Sequence, residues 1–150
     1  MRLSIIIPLL CLSALVGCAR SQPVSEGLPR LSIVVGGAPL EVEVASNDRE
    51  RSQGLSGRDS LDEGKGMLFT FEQPGNYEFW MYQMRFPLDF LWIADDRVVG
   101  LAEKVPFPTP ASPVPELIRP PSPVTEVLEV PAGWVERHRI IIGAAVERAP

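Results

Sequence analysis

Asp89 has the setting in this chain most able to do chemistry. It follows Pro87-Leu88 and precedes the apolar run Phe90-Leu91-Trp92. A carboxylate against such a run is costly to bury unless something pairs with it. Arg51, Arg58 and Arg85 are the cations on offer. Two structural arrangements would satisfy it: a buried Asp–Arg pair, or an Asp that accepts from backbone amides and fixes the turn. A functional arrangement gathers Asp89, an arginine and Trp80 into one polar-aromatic pocket. There Arg51, Arg58, Trp80 and Asp89 are the ligand-binding candidates, and Asp89 is the candidate acid or base beside an anion-holding arginine.

Other catalytic signatures are sparse. The single histidine, His138, lies in the polar stretch Trp134-Val135-Glu136-Arg137-His138-Arg139 and reads as a surface residue rather than a proton shuttle. A zinc site built on histidine has too few ligands, and neither a metal nor another cofactor is expected. Gly54-Leu55-Ser56-Gly57 lacks the intervening residue of a nucleophile elbow and falls at a helix end. Asp95-Asp96 suits a hairpin turn better than a calcium site. No glycine-rich stretch has the phosphate-cradling pattern.

The first residues are a targeting segment. Met1-Arg2 starts positive, Leu3 to Val16 is mostly apolar, and the stretch ends Leu15-Val16-Gly17-Cys18. That is the form of a bacterial lipobox, with residues 1–17 as leader and Cys18 as the lipidated new N-terminus. A spanning helix wants about 20 apolar residues, and this run is at or below the lower limit and holds Pro8. Two or more acyl chains on Cys18 would anchor the protein stably to a membrane. Ala19 after the cysteine resembles an outer-membrane address, so a Gram-negative host would hold the protein on the periplasmic face of that membrane. Cleavage removes Cys11, which leaves the mature chain no disulfide and no free thiol. Residues 18–30 read as lipidated cysteine and flexible tether, and residues 31–149 as one domain.

Losing Arg2 with the leader leaves one basic residue fewer than the 14 of the whole chain against 19 acidic ones, so the mature charge is about −6. No basic cluster stands out, and nucleic acid is not an expected partner.

The elements that must position these residues are short. Leu31 to Val35 is a β-branched strand, Gly36-Gly37 a turn, and Leu40 to Ala45 an alternating strand, together an opening hairpin. Asn47 or Asp48 caps a short helix, with Glu50 placed for a capping box from Asn47 and Gly57 able to end it. Gly66 to Phe71 reads as a buried strand and Pro74-Gly75-Asn76 as a turn. Tyr77 to Met81 is a strand again, with Phe79 and Met81 on one face and Trp80 and Tyr82 on the other. Trp80 and Tyr82 then belong either to a second core layer or to an aromatic binding floor. Phe90 to Ile93 and Arg97 to Leu101 flank Asp95-Asp96 as a tight hairpin. Pro106 to Pro123 holds eight prolines in eighteen residues, and is expected to be an extended surface loop without ladder or helix. Thr125 to Val130 alternates as a strand, Pro131 to Arg139 is a turn with one helical turn, and Arg139 to Val146 is a final strand pair or bulged strand. The sum is a mainly β domain with one or two short helices, a small sandwich or partly closed barrel.

The block Gly66 to Trp92 carries two of the three tryptophans and three of the four methionines, the density of a domain centre. Several blocks here, in this order, resemble a known family. They are Glu50-Arg51 with Gly54-Leu55 and Arg58; Gly66-Met67-Leu68-Phe69; Phe79-Trp80-Met81 with Pro87-Leu88-Asp89; and Leu128-Glu129-Val130-Pro131-Ala132-Gly133. The family is the one called domain of unknown function 192, and the resemblance runs from about Leu31 to Val146. It implies a compact, mainly β fold in a bacterial and archaeal group that is often exported, and it brings no established activity. The chain departs from the family pattern at Ser56, at Tyr82-Gln83-Met84, and at Arg139 and Ala144.

Together these readings describe a lipid-anchored cell-envelope protein, held to the membrane through Cys18. Its expected work is non-catalytic binding of a small ligand, a peptide or a partner protein. The alternatives are a hydrolase-type enzyme using Asp89 with an arginine, and a structural lipoprotein in an envelope assembly.

Overall fold

Two glycines open the fold. Gly36 and Gly37 take φ of 56° and 89°, which a tight two-residue hairpin turn demands and a side chain resists. They join β1 (Arg30–Val35) to β2 (Ala38–Ala45) as an antiparallel pair. Ile33, Val35, Leu40 and Val42 are buried, as the alternation requires. The computed structural model describes residues 27–114 and 117–148. The leader, Cys18 and the first part of the tether lie outside the described residues.

The chain then leaves the sheet through α1 (Asp48–Gln53), and the expected capping box forms. Asn47 accepts from the Glu50 amide while Glu50 accepts from the Asn47 amide. The helix stops at Gly54, three residues before the expected Gly57. Next comes β3 (Lys65–Gly75), which pairs with β2 in parallel, so α1 is the crossover of a β-α-β unit. The turn expected at Pro74-Gly75-Asn76 is partly absorbed into the irregular end of this strand.

β4 is only Phe79–Trp80, shorter than the expected Tyr77 to Met81. β5 (Leu88–Ala94) and β6 (Arg97–Val105) form the expected hairpin, with Asp95 and Asp96 at φ of 49° and 56°. The segment from Pro106 to Pro123 does contain a ladder, against expectation. Its two-residue β7 (Leu117–Ile118) pairs with β4 to make a small second sheet. Proline excludes a long ladder, and the proline-free pair Leu117-Ile118 is where a short one fits. β8 (Val124–Pro131) runs between β3 and β5 at the centre of the main sheet. α2 (Trp134–His138) follows.

Residues after α2 do not form the expected strand pair. Ile141 and Ile142 are exposed in a turn, and only β9 (Val146–Arg148) joins the sheet, against β1. The main sheet therefore has the order β6-β5-β8-β3-β2-β1-β9. Its two ends curl toward each other. The Val98 amide donates to the Ala144 carbonyl at 3.0 Å and the Gly143 amide to the Val98 carbonyl at 2.7 Å, while the Gly36 amide donates to the Ala145 carbonyl at 2.9 Å. The result is a mainly β half-barrel, in agreement with the partly closed barrel of the sequence reading.

Each face of this sheet has its own core. Inside the curl, residues from β1, β2 and β6 meet Leu68, Leu91, Leu128 and Val130 of the central strands, with Trp134 and Val135 of α2. The outer face of β3, β5 and β8 carries Met67, Phe69, Phe90, Trp92 and Val127, covered by Leu55, Met81, Met84 and Ile118. Phe79 packs edge-on against Phe69 at 5.0 Å and against Phe90 at 5.9 Å. With both faces covered, β5 reads as an apolar run broken only by Asp89.

Candidate functional site

Asp89 lies on the inner face of β5, fully buried. Its Oδ1 accepts from the backbone amides of Lys104 at 2.7 Å and Gly133 at 3.0 Å, and its Oδ2 from Val135 at 2.9 Å. None of Arg51, Arg58 or Arg85 bonds to it. The amide-holding alternative is the one found, and the pocket uniting Asp89 with Trp80 is not. Two local needs explain this. The five-residue α2 has glycine at its N-cap and no side-chain cap of its own, so its free amides require an acceptor from elsewhere. The β5–β6 ladder also slips beside Asp89, where Lys104 sits at φ 53°, and the carboxylate ties down that bulge.

The other candidates are distributed differently. The Arg51 Nη1 donates to the carbonyls of Ser46 at 2.7 Å and Thr70 at 2.8 Å, and its Nη2 to Asp48 at 2.6 Å. Its guanidinium also lies 5.0 Å above the Phe71 ring. Arg51 therefore clamps α1 onto β3. Arg58 makes a two-pronged pair with Glu43 at 2.9 and 2.6 Å. That pair holds the Glu43 carboxyl below its ordinary value and the Arg58 guanidinium above its own. Arg85 pairs with Asp59 at the surface.

Trp80 is 65 % exposed and tilted toward Tyr82, itself 55 % exposed, with ring centroids 6.4 Å apart. The second-core-layer expectation fails for this face, because both rings stay exposed among the described residues. His138 is partly exposed, packed on Trp134 at 4.6 Å and 3.6 Å from Glu63.

Trp80 and Arg51 do share a cavity, of about 290 Å³, on the outer face of the sheet beneath α1. Phe69, Phe71, Tyr77 and Phe79 supply aromatic wall. The acid in it is Glu129 rather than Asp89. Glu129 stands on β8 between Met67 of β3 and Phe90 of β5, and only 5 % of it is exposed. Among the described residues no donor bonds to its carboxyl. Burial pushes its pKa up to about 8, and the Arg58 charge offsets this only in part. At neutral pH Glu129 therefore carries its proton and can donate a hydrogen bond, or release that proton to a better partner.

Sequence reasoning missed Glu129, although the signal was present. Thr125 to Val130 is not a strict alternation, since Val127 and Leu128 are adjacent and apolar. Adjacent apolar residues mark a strand buried on both faces, where a glutamate cannot point to water. Among the described residues no cluster of three metal-ligating side chains occurs.

The fold and cavity define a class: a mainly β half-barrel with a small aromatic-walled site on its outer face. The DUF192 family model, described as an uncharacterized ancient conserved region, matches residues 31–148, and the chain belongs to this family. Two solved structures share the fold. One is from Sinorhizobium meliloti, named as a candidate transcription regulator. It has a TM-score of 0.69 and 30 % identity over 79 % of this chain and 92 % of its own. The other is a protein of unknown function from Novosphingobium aromaticivorans. It has a TM-score of 0.73 and 29 % identity over 84 % of this chain and 89 % of its own. No curated protein matches the chain.

Two predictions follow from the two buried acids. Asp89→Asn replaces one acceptor oxygen by an amide NH2, a donor that opposes backbone N–H groups. It should destabilise the protein by about 2–4 kcal/mol in chemical denaturation, at neutral pH and without any ligand present. Glu129 has the opposite sign. The unfolded chain ionises it near pH 4.5 while the folded chain holds the proton to about 8, so stability falls as pH rises through that window. Glu129→Gln should flatten this fall and gain roughly 2–4 kcal/mol over the parent at pH 8, read from urea midpoints at pH 5 and 8.

Proposed function

We propose that this protein is a lipid-anchored cell-envelope binding module whose small-ligand site is the cavity beneath α1. The observation that carries the reading is Glu129. A buried carboxyl without a partner, lining an aromatic-walled cavity, is costly to keep unless a ligand uses it. The lipobox and Cys18 supply the anchor, and the tether spaces the half-barrel from the membrane.

The neighbouring groups support binding over hydrolysis. Arg51 is committed to two carbonyls and Asp48, and the Ser56 hydroxyl donates to the Tyr82 carbonyl at 3.0 Å. Neither is free to hold an anion or attack a substrate. Asp89 is saturated by amides, which removes the main support for the hydrolase reading. The regulator name given to the Sinorhizobium protein is not carried over, because this chain is acidic, with 19 acidic against 14 basic residues.

Two experiments test the two halves of this reading. Growth with an alkyne-bearing fatty acid should label the parent protein and not Cys18→Ser, and equal labelling of both would remove the anchor. A thermal-shift screen of envelope metabolites and short peptides should give ligands whose shift is lost in Trp80→Ala. Trp80 is exposed at the cavity, so its loss should leave the melting temperature without ligand within a degree or two of the parent. A screen silent for the parent, or shifts that survive Trp80→Ala, would count against the cavity.

A further inference from the structure

We propose that the Glu129 cavity takes an organic cation, an ammonium group carried on an apolar or aromatic body. This rests on reading the cavity as the ligand site and adds the chemical class of its occupant.

Several charged groups line the cavity or lie close to Glu129. From α1 come Arg51 and Asp48, paired with each other at 2.6 Å. From the strip before β4 comes Glu78, paired with Arg119 at 2.6 Å. From β2 and the loop after α1 come Glu43 and Arg58, paired at 2.6 Å. The Tyr77 hydroxyl is committed to the Gln73 carbonyl at 2.6 Å. Each of these groups has a partner within the protein. Glu129 alone among them has none, so once ionised it is a negative charge with no counterion in the cavity. An anionic ligand would meet an unpartnered acid and no uncommitted cation. A neutral ligand would leave the acid protonated and the charge unused. An ammonium ion supplies the missing charge.

The walls suit the same occupant. Aromatic rings attract a cation through their negative faces, more strongly when water is excluded. Arg51 already uses the Phe71 ring in this way, 5.0 Å from its centroid. Phe79 and Trp80 add further aromatic surface to the lining, and Trp80 is exposed to solvent.

Proton balance gives the proposal a signature. In the empty cavity the Glu129 carboxyl is protonated at neutral pH. When the cation enters, the O–H bond breaks, the proton leaves to buffer, and the carboxylate pairs with the ammonium. Binding therefore releases about one proton. Apparent affinity should rise about tenfold per pH unit below the Glu129 pKa and level off above it.

The test uses the full lipidated protein in detergent, titrated calorimetrically with benzyltrimethylammonium, benzyl alcohol and benzoate. The first is a permanent cation, so its own charge does not change with pH. The proposal expects it to bind best, about tenfold more weakly at pH 6 than at pH 7. Its binding heat should also differ between phosphate and Tris in proportion to one released proton. Glu129→Gln should cost at least tenfold in affinity and abolish the buffer dependence. Proton release measured in the parent stands even if that variant were to fold poorly. Binding of benzyl alcohol or benzoate as tightly as the cation would overturn the cation assignment while leaving the cavity as a ligand site. Cation binding without proton release would overturn it as well. If none of the three binds, the assignment fails. The ligand-site reading falls with it only if the broader metabolite screen is also silent.

Discussion

Three backbone amides converging on one carboxylate hold this fold together. Asp89 leaves β5, reaches the bulge of β6 through Lys104, and caps α2 through Gly133 and Val135. A buried carboxylate is expensive, but each hydrogen bond to a charged acceptor contributes about 1.5–3 kcal/mol. Three together can offset the desolvation. The return is positional. α2 carries Trp134 and Val135 into the inner core, and without Asp89 nothing caps that short helix. The described residues hold no cysteine, so no disulfide ties them together and anchors of this kind take that role.

Glu129 is the complementary case, one strand away and on the other face. Its neighbour on β5 is Phe90, the residue after Asp89. Asp89 points inward to amides that were waiting for an acceptor. Glu129 points outward into aromatic surface, where the nearest helix, α1, satisfies its own ends through the Asn47–Glu50 box and Arg51. Two acids in one sheet thus meet opposite fates, because one faces free donors and the other faces groups already paired. That contrast separates the anchoring acid from the acid of the candidate site more firmly than residue type does.

The half-barrel also explains why the site lies where it does. The inner face closes on itself through the Gly143–Val146 segment. The outer face of β3, β5 and β8 is roofed piecemeal, by α1 on one side and by the small β4–β7 sheet elsewhere. A roof made of short pieces leaves a gap between them, and the gap falls over Glu129.

Local signals in the sequence determined the hairpins at Gly36-Gly37 and Asp95-Asp96, the capping box of Asn47 and Glu50, and the mainly β character of the chain. Each is set by residues within a few positions of one another, so the sequence shows them directly. It also narrowed Asp89 to a few roles and named Arg51 and Trp80, which do share the cavity. Tertiary structure alone decided the rest. The parallel pairing of β2 with β3, the ladder between β4 and β7, and the closure by Gly143–Val146 join segments far apart in the chain. Whether an acid finds a donor depends on what the fold brings opposite it. For that reason Asp89, the residue that looked reactive, became the anchor, and Glu129, which looked like an ordinary strand residue, was left facing the cavity.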